Sequence, residues 1–131
     1  MSLLPSDLVA QAKKLIQEIK PEALREYLDD DLVIIDVREV DECTQGSIPG
    51  AINIPRGVLE FELSRHPALN CNPHPVVSKP EQPIYLYCRS GGRSALAAAS
   101  LQSMGFANVC SLAGGFDAWT SQNHPVARSS A

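Results

Sequence analysis

A chain of 131 residues with 44% apolar residues is long enough to bury one packed core and short for two domains. Its 15 acidic residues outnumber its 11 basic ones, for a net charge of −4, which excludes the broad basic footprint of a nucleic-acid or acidic-membrane binder. No apolar run approaches the roughly 18 residues of a membrane span, so neither a membrane nor nucleic acid is an expected partner.

Four cysteines, Cys43, Cys71, Cys88 and Cys110, stand at irregular spacing with no C-x-x-C pair, so no disulfide framework is expected. Pro5 and Asp7 interrupt the apolar run that a signal peptide would need. The expected compartment is therefore reducing and cytoplasmic.

Ser6 or Asp7 is positioned to cap a first helix, in which Leu8, Ala12, Leu15 and Ile19 recur at helical spacing; the alternative for Ile16–Ile19 is a short first strand, which the family resemblance given below implies. A packing helix at the domain edge is the plain reading, and a partner-binding helix the alternative. Pro21 opens a second helix over Glu22–Leu28. Asp29–Asp31 reads as a turn. Leu32–Ile35 is an uninterrupted apolar strand of the kind buried on both faces of a parallel sheet. It runs into Asp36-Val37-Arg38-Glu39, a charged cluster where open α/β sheets keep their ligands. Asp36 and Arg38 either pair with each other or cap backbone groups.

Val40–Gln45 reads as a short helix stopped by Gly46, Ala51–Ile54 as a strand stopped by Pro55, and Val58–Leu63 as a further helical segment. The stretch 66–83 carries Pro67, Pro73, Pro75, Pro80 and Pro83 and reads as an irregular loop, either plain surface or a lid. Within it Cys71 and His74 have C-x-x-H spacing. A tetrahedral site needs about four ligands and no second pair lies nearby in sequence, so no metal and no other cofactor is expected.

Ile84–Tyr87 is a second buried strand, broken by Cys88-Arg89-Ser90-Gly91-Gly92-Arg93-Ser94. A helix is expected from Arg93 to Met104, ended by Gly105. Cys88 thus sits between a strand's carboxyl end and a helix's amino end. The first turn of a helix leaves N–H groups without intrahelical partners, and its dipole favours negative charge. Gly91 and Gly92 let successive N–H groups turn inward, and Arg89 and Arg93 add positive charge. Such surroundings favour a thiolate. Cys88 is therefore the candidate nucleophile, against the bland alternative of an inert buried cysteine. Asn108–Leu112 is the last strand, with Cys110 expected in the core, and Gly114-Gly115 turns into a helix on which Trp119 anchors packing. Cys43 and Cys110 are open candidates for a second redox thiol.

The loop Cys-Arg-Ser-Gly-Gly-Arg-Ser over 88–94 resembles the active-site loop of rhodanese-type sulfurtransferases. Two further stretches agree with that family in order. Ile34-Ile35-Asp36-Val37-Arg38-Glu39 with Gly46-Ser47-Ile48-Pro49-Gly50-Ala51-Ile52-Asn53-Ile54-Pro55 is similar to its amino-terminal signature. Leu112-Ala113-Gly114-Gly115-Phe116-Asp117-Ala118-Trp119 is similar to its carboxyl-terminal one. The resemblance implies an α/β fold, a rhodanese-like parallel β-sheet of about five strands flanked by helices on both faces. It divides the chain into a helical extension (1–15), a rhodanese-like domain (16–127) and a tail (128–131).

It also implies a sulfurtransferase with catalytic Cys88, and with Arg89, Ser90, Gly91, Gly92, Arg93 and Ser94 binding the substrate. Asp36 and Arg38 become supporting framework, and Arg56 either lies by the mouth of the site or is a solvated arginine. The implied partners are a small anionic donor such as thiosulfate and a thiol or cyanide acceptor, with a sulfur-accepting protein as a further candidate. Two competitors stand beside this reading. One is a sulfur-carrying or redox-sensing binding module with the same loop. The other is a phosphatase or arsenate reductase, whose resembling loops hold one more residue between cysteine and arginine than the four found here.

Overall fold

The computed structural model describes residues 2–28, 32–63, 83–106 and 108–128. The turn expected at Asp29–Asp31, nearly all of the 66–83 loop with Cys71 and His74, and the last three residues of the tail lie outside these.

Helix α1 covers Pro5–Leu15. It begins earlier than the Ser6 or Asp7 cap expected, because Pro5 takes the first helical position and makes Leu4 the cap. Asp7 instead accepts the Leu4 N–H at 2.9 Å. The helical spacing continues to Ile19, but the helix does not. Gln17–Ile19 forms strand β1, whose residues pair in parallel with Cys110, Ser111 and Leu112. Ladder hydrogen bonds to a strand distant in sequence override local periodicity here. Helix α2 is Pro21–Arg25 and strand β2 is Val33–Asp36, every residue of it buried. Helix α3 is Val40–Cys43, β3 is Ile52–Asn53, and a 3₁₀ turn at Arg56–Val58 leads into α4, Leu59–Glu62. Then come β4 (Ile84–Tyr87), α5 (Gly92–Ser103), β5 (Val109–Leu112) and α6 (Gly115–Ser121).

The five strands form one parallel sheet in the order β1-β5-β4-β2-β3. Side chains alternate between two cores, as the period of two demands. Val33, Ile35, Ile84, Leu86 and Val109 join Leu59 of α4, Leu63 just beyond it, and Ala97, Ala98 and Leu101 of α5 on one face. Ile34, Tyr87 and Leu112 join Leu24 of α2 and Trp119 of α6 on the other. Fully buried aliphatic side chains of this kind stabilise by roughly 1.5–3 kcal/mol each. Trp119 is fully buried and donates its indole N–H to the Pro125 carbonyl at 2.6 Å, which fixes α6 against the sheet.

The chain moves one way from β2 to β3 and the opposite way from β4 to β5, so the direction of winding reverses between β2 and β4. In open α/β sheets the crevice at the carboxyl ends of such strands takes the ligand. Asp36 pairs with Tyr87 in register, so the ends of β2 and β4 lie side by side there.

Candidate active site

Cys88 follows β4 and is 1% exposed. Its Sγ accepts the Gly91 N–H at 3.0 Å. Gly91 makes this possible at φ +107°, a left-handed conformation that glycine adopts without a Cβ clash. The loop then enters α5 directly, at Gly92. Ser94 Oγ lies 3.6 Å from Cys88 Sγ and 2.8 Å from Ser111 Oγ, and both serines are fully buried.

The back of the loop is tied to α6. Phe116 N–H donates to the Cys88 carbonyl at 2.8 Å and Asp117 N–H to the Arg89 carbonyl at 2.9 Å. Gly115 is what allows the approach: a Cβ there would stand 2.6 Å from both carbonyl oxygens, and φ is +61°. The Gly114-Gly115 pair, expected only as a turn, therefore shapes the cysteine loop from behind.

The two arginines of the loop are placed differently. Arg93 donates to both Glu42 carboxylate oxygens, at 2.6 and 2.9 Å. Glu42 also accepts the Glu39 N–H at 2.9 Å. Arg93, together with that N–H, holds the Glu42 carboxyl down at about 2, against an ordinary 4.5. Arg89 is largely exposed and stands 3.6 Å from Asp117, itself exposed. Each guanidinium thus has a carboxylate partner, so the loop is less positive than its two arginines suggest. Ser90 is exposed, and Gly92 packs beside Val9 of α1, which a Cβ would meet at 3.5 Å.

Asp36 and Arg38 form a buried pair at 2.7 Å below the loop. Arg38 also donates to the carbonyls of Gly46 at 2.8 Å and Glu42 at 3.3 Å, and lies 4.4 Å over the Phe116 ring. Burial works against the Arg38 charge, and the Asp36 carboxylate more than offsets it. The pair joins β2, α3 and α6 through contacts to framework groups. Arg56 is taken up by Glu60 at 2.9 Å, and Glu60 in turn accepts the Ser100 hydroxyl at 2.6 Å.

Cys43 donates its thiol to Asp36 at 3.3 Å. Burial and that carboxylate push the Cys43 thiol up to about 12, which disfavours its thiolate. Cys110 is only half-buried rather than in the core. It is one residue from Ser111, so it projects to the opposite sheet face, where edge strand β1 covers it incompletely and Gln17 Oε1 lies 3.8 Å away. Burial pushes its thiol up as well. Among the described residues no three His, Cys, Asp or Glu side chains cluster as a metal site.

Residues 20–122 match the Rhodanese-like domain family. The chain belongs to that family. A sulfurtransferase of Allochromatium vinosum is 32% identical over 114 residues, which cover 86% of this chain and 95% of that one. The adenylyltransferase and sulfurtransferase UBA4 of Meyerozyma guilliermondii is 35% identical over 92 residues, covering 70% of this chain and only 21% of that larger protein. Among solved structures, a Rhodopseudomonas palustris protein of unknown function, described as a possible tyrosine phosphatase, superposes with a TM-score of 0.81 at 28% identity, covering 97% of this chain and 96% of that one. Within this rhodanese-like domain the cysteine loop, the buried Asp36–Arg38 pair and the Gly114-Gly115 turn are three sequence stretches brought to one end of the sheet. Glu42 and Ser111 join them without having been singled out by sequence. Glu42 reads there as a surface acid of a short helix, and Ser111 as one polar residue in a strand.

Proposed function

We propose that this rhodanese-like domain is a sulfurtransferase that works through a persulfide on Cys88. The Cys88 thiolate attacks the outer sulfur of a donor such as thiosulfate, the S–S bond of the donor breaks, and sulfite leaves with its electron pair. Cys88 then carries an anionic terminal sulfur. Cyanide or a thiolate attacks that sulfur, the Cys–S–S bond breaks, and the Cys88 thiolate is restored. No proton transfer is obligatory in either half, because sulfite is a competent leaving group.

One observation carries this reading: the Gly91 N–H already donates to Cys88 Sγ at 3.0 Å, while the competing carbonyls of Cys88 and Arg89 are bound on the far side by α6. Preorganised donors aimed at a developing negative charge are the largest contribution an active site of this kind offers. The amides of the loop and the first turn of α5 would hold the persulfide anion in the same way. Arg89, exposed at the rim, would draw the anionic donor in, and Arg93 would hold the loop's shape through Glu42. The sulfurtransferase relatives support the reaction class, and a reducing, cytoplasmic compartment would keep the thiol available.

The phosphatase reading has one structural likeness in its favour, the possible tyrosine phosphatase above. Two features weigh against it. Four residues separate Cys88 from Arg93, a small ring for a phosphoryl group. The Arg93 guanidinium is also engaged bidentately by Glu42 rather than left for phosphate oxygens. Steady-state assays decide between them. Thiocyanate formation from thiosulfate and cyanide is expected, abolished in Cys88→Ser, with no hydrolysis of an aryl phosphate. Aryl phosphate turnover without thiocyanate formation would reverse the assignment. Persulfide loading without turnover would leave a carrier module.

A further inference from the structure

Ser111 lies in β5, seventeen residues beyond Ser94, yet its hydroxyl is 2.8 Å from that of Ser94. Both side chains are fully buried. Among the described residues the Ser94 hydroxyl is the one hydrogen-bond partner of Ser111 Oγ. Ser94 Oγ has two more neighbours, the Gly91 carbonyl at 3.3 Å and Cys88 Sγ at 3.6 Å.

A hydroxyl has one proton to donate and two lone pairs to accept with. If Ser94 donated to Ser111, the Ser111 proton would be buried with no acceptor, an arrangement native interiors avoid. The Ser111 proton therefore goes to Ser94 Oγ, and the Ser94 proton is left to choose between the Gly91 carbonyl and the sulfur. A charge-assisted hydrogen bond is the stronger of two such options, so an anionic sulfur draws it.

We propose that Ser111 is a positioning residue for sulfur transfer: by donating to Ser94 it directs the Ser94 hydroxyl proton onto Cys88 sulfur. The relay Ser111→Ser94→Cys88 runs along the α5 face of the sheet, opposite the Gly91 amide in origin and independent of the arginines. It rests on the sulfur-transfer reading for its use, but the hydrogen-bond chain itself does not.

The test is a double-mutant cycle on full-length protein with Ser111→Ala, Ser94→Ala and both together. Ser111→Ala lowers kcat for thiosulfate-to-cyanide transfer about three- to tenfold, the size of one neutral hydrogen bond, and leaves KM for thiosulfate unchanged. Ser94→Ala loses at least as much, and the double variant loses no more than Ser94→Ala. Losses that multiply, or a wild-type kcat in Ser111→Ala, overturn the relay.

Alkylation of Cys88 by iodoacetamide, followed by mass spectrometry in the same four proteins, reads the relay without sulfur chemistry. Ser94→Ala and the double variant then share one rate, different from wild type, and Ser111→Ala departs from wild type in the same direction by no more than they do. Should wild type transfer no sulfur while the alkylation rates couple in this way, the sulfurtransferase reading falls and the relay stands. Normal transfer with kcat and alkylation unchanged in Ser111→Ala removes the relay alone.

Discussion

Gly115→Ala places a methyl where the cysteine loop comes closest to α6. The new Cβ would stand 2.6 Å from the Cys88 and Arg89 carbonyl oxygens and 2.7 Å from the Arg89 carbonyl carbon, all of them backbone atoms that cannot swing aside. It would also force an L-residue to φ +61°, at about 1–2 kcal/mol. Relieving the contact separates Phe116 and Asp117 N–H from the two carbonyls they hold, at about 1 kcal/mol each. The expected destabilisation is therefore about 3–4 kcal/mol. Gly50→Ala is the internal control. It meets the same backbone penalty at φ +82° but has nothing within 4 Å, so it should lose only about 1–2 kcal/mol. Urea unfolding of both variants measures the difference. Thiosulfate turnover of the folded Gly115→Ala protein should fall roughly ten- to a hundredfold as the loop is displaced. If Gly115→Ala matches Gly50→Ala in stability and keeps full turnover, α6 does not shape the loop.

Glu42→Gln tests the ion pair that holds Arg93. Both side chains are about one-third exposed, so the loss of charge should destabilise by only about 1 kcal/mol at neutral pH. The Glu42 carboxyl is lowered from 4.5 to about 2 on folding, so its contribution is complete above pH 4.5 and lost as pH falls towards 2. The gap between wild type and Glu42→Gln in urea unfolding should be constant from pH 7 to 5 and close below 4.5; a gap that widens on acidification would contradict the pairing. Arg89→Ala should raise KM for thiosulfate several-fold with little change in stability, since its contact to Asp117 at 3.6 Å is between exposed groups. A large stability loss with unaltered kinetics would make Arg89 a structural residue.

The fold was legible wherever local pattern and tertiary role coincide. Leu32–Ile35 and Ile84–Tyr87 are continuous apolar runs because both their faces are covered, and α5 begins and ends within one residue of the Arg93–Met104 span read from its flanking glycines. Legibility failed where a distant partner decides. The periodicity of Leu8, Ala12, Leu15 and Ile19 points to helix, and the strand at Gln17–Ile19 was legible only through the family resemblance, because it is β5, far along the chain, that pairs with it. Cys110 was expected in the core, but the alternation of β5 turns it to the face that Ser111 does not occupy, beside an edge strand.

For the site, the motif showed which thiol is presented on which loop. It did not show that Arg93 is held by a glutamate 51 residues upstream, because an exposed-looking acid in a four-residue helix carries no local signal. Nor did it show why two glycines stand at 114 and 115: the close approach they permit is to carbonyls of a loop more than twenty residues earlier.

The most direct measurement is intact-protein and peptide mass spectrometry after incubation with thiosulfate and removal of excess donor. One added sulfur on the Cys88 peptide, removed by cyanide and absent in Cys88→Ser, is the result predicted for a thiol that accepts the Gly91 N–H at the amino end of α5. An unmodified Cys88 peptide, or the added sulfur on Cys43, Cys71 or Cys110 instead, would contradict it.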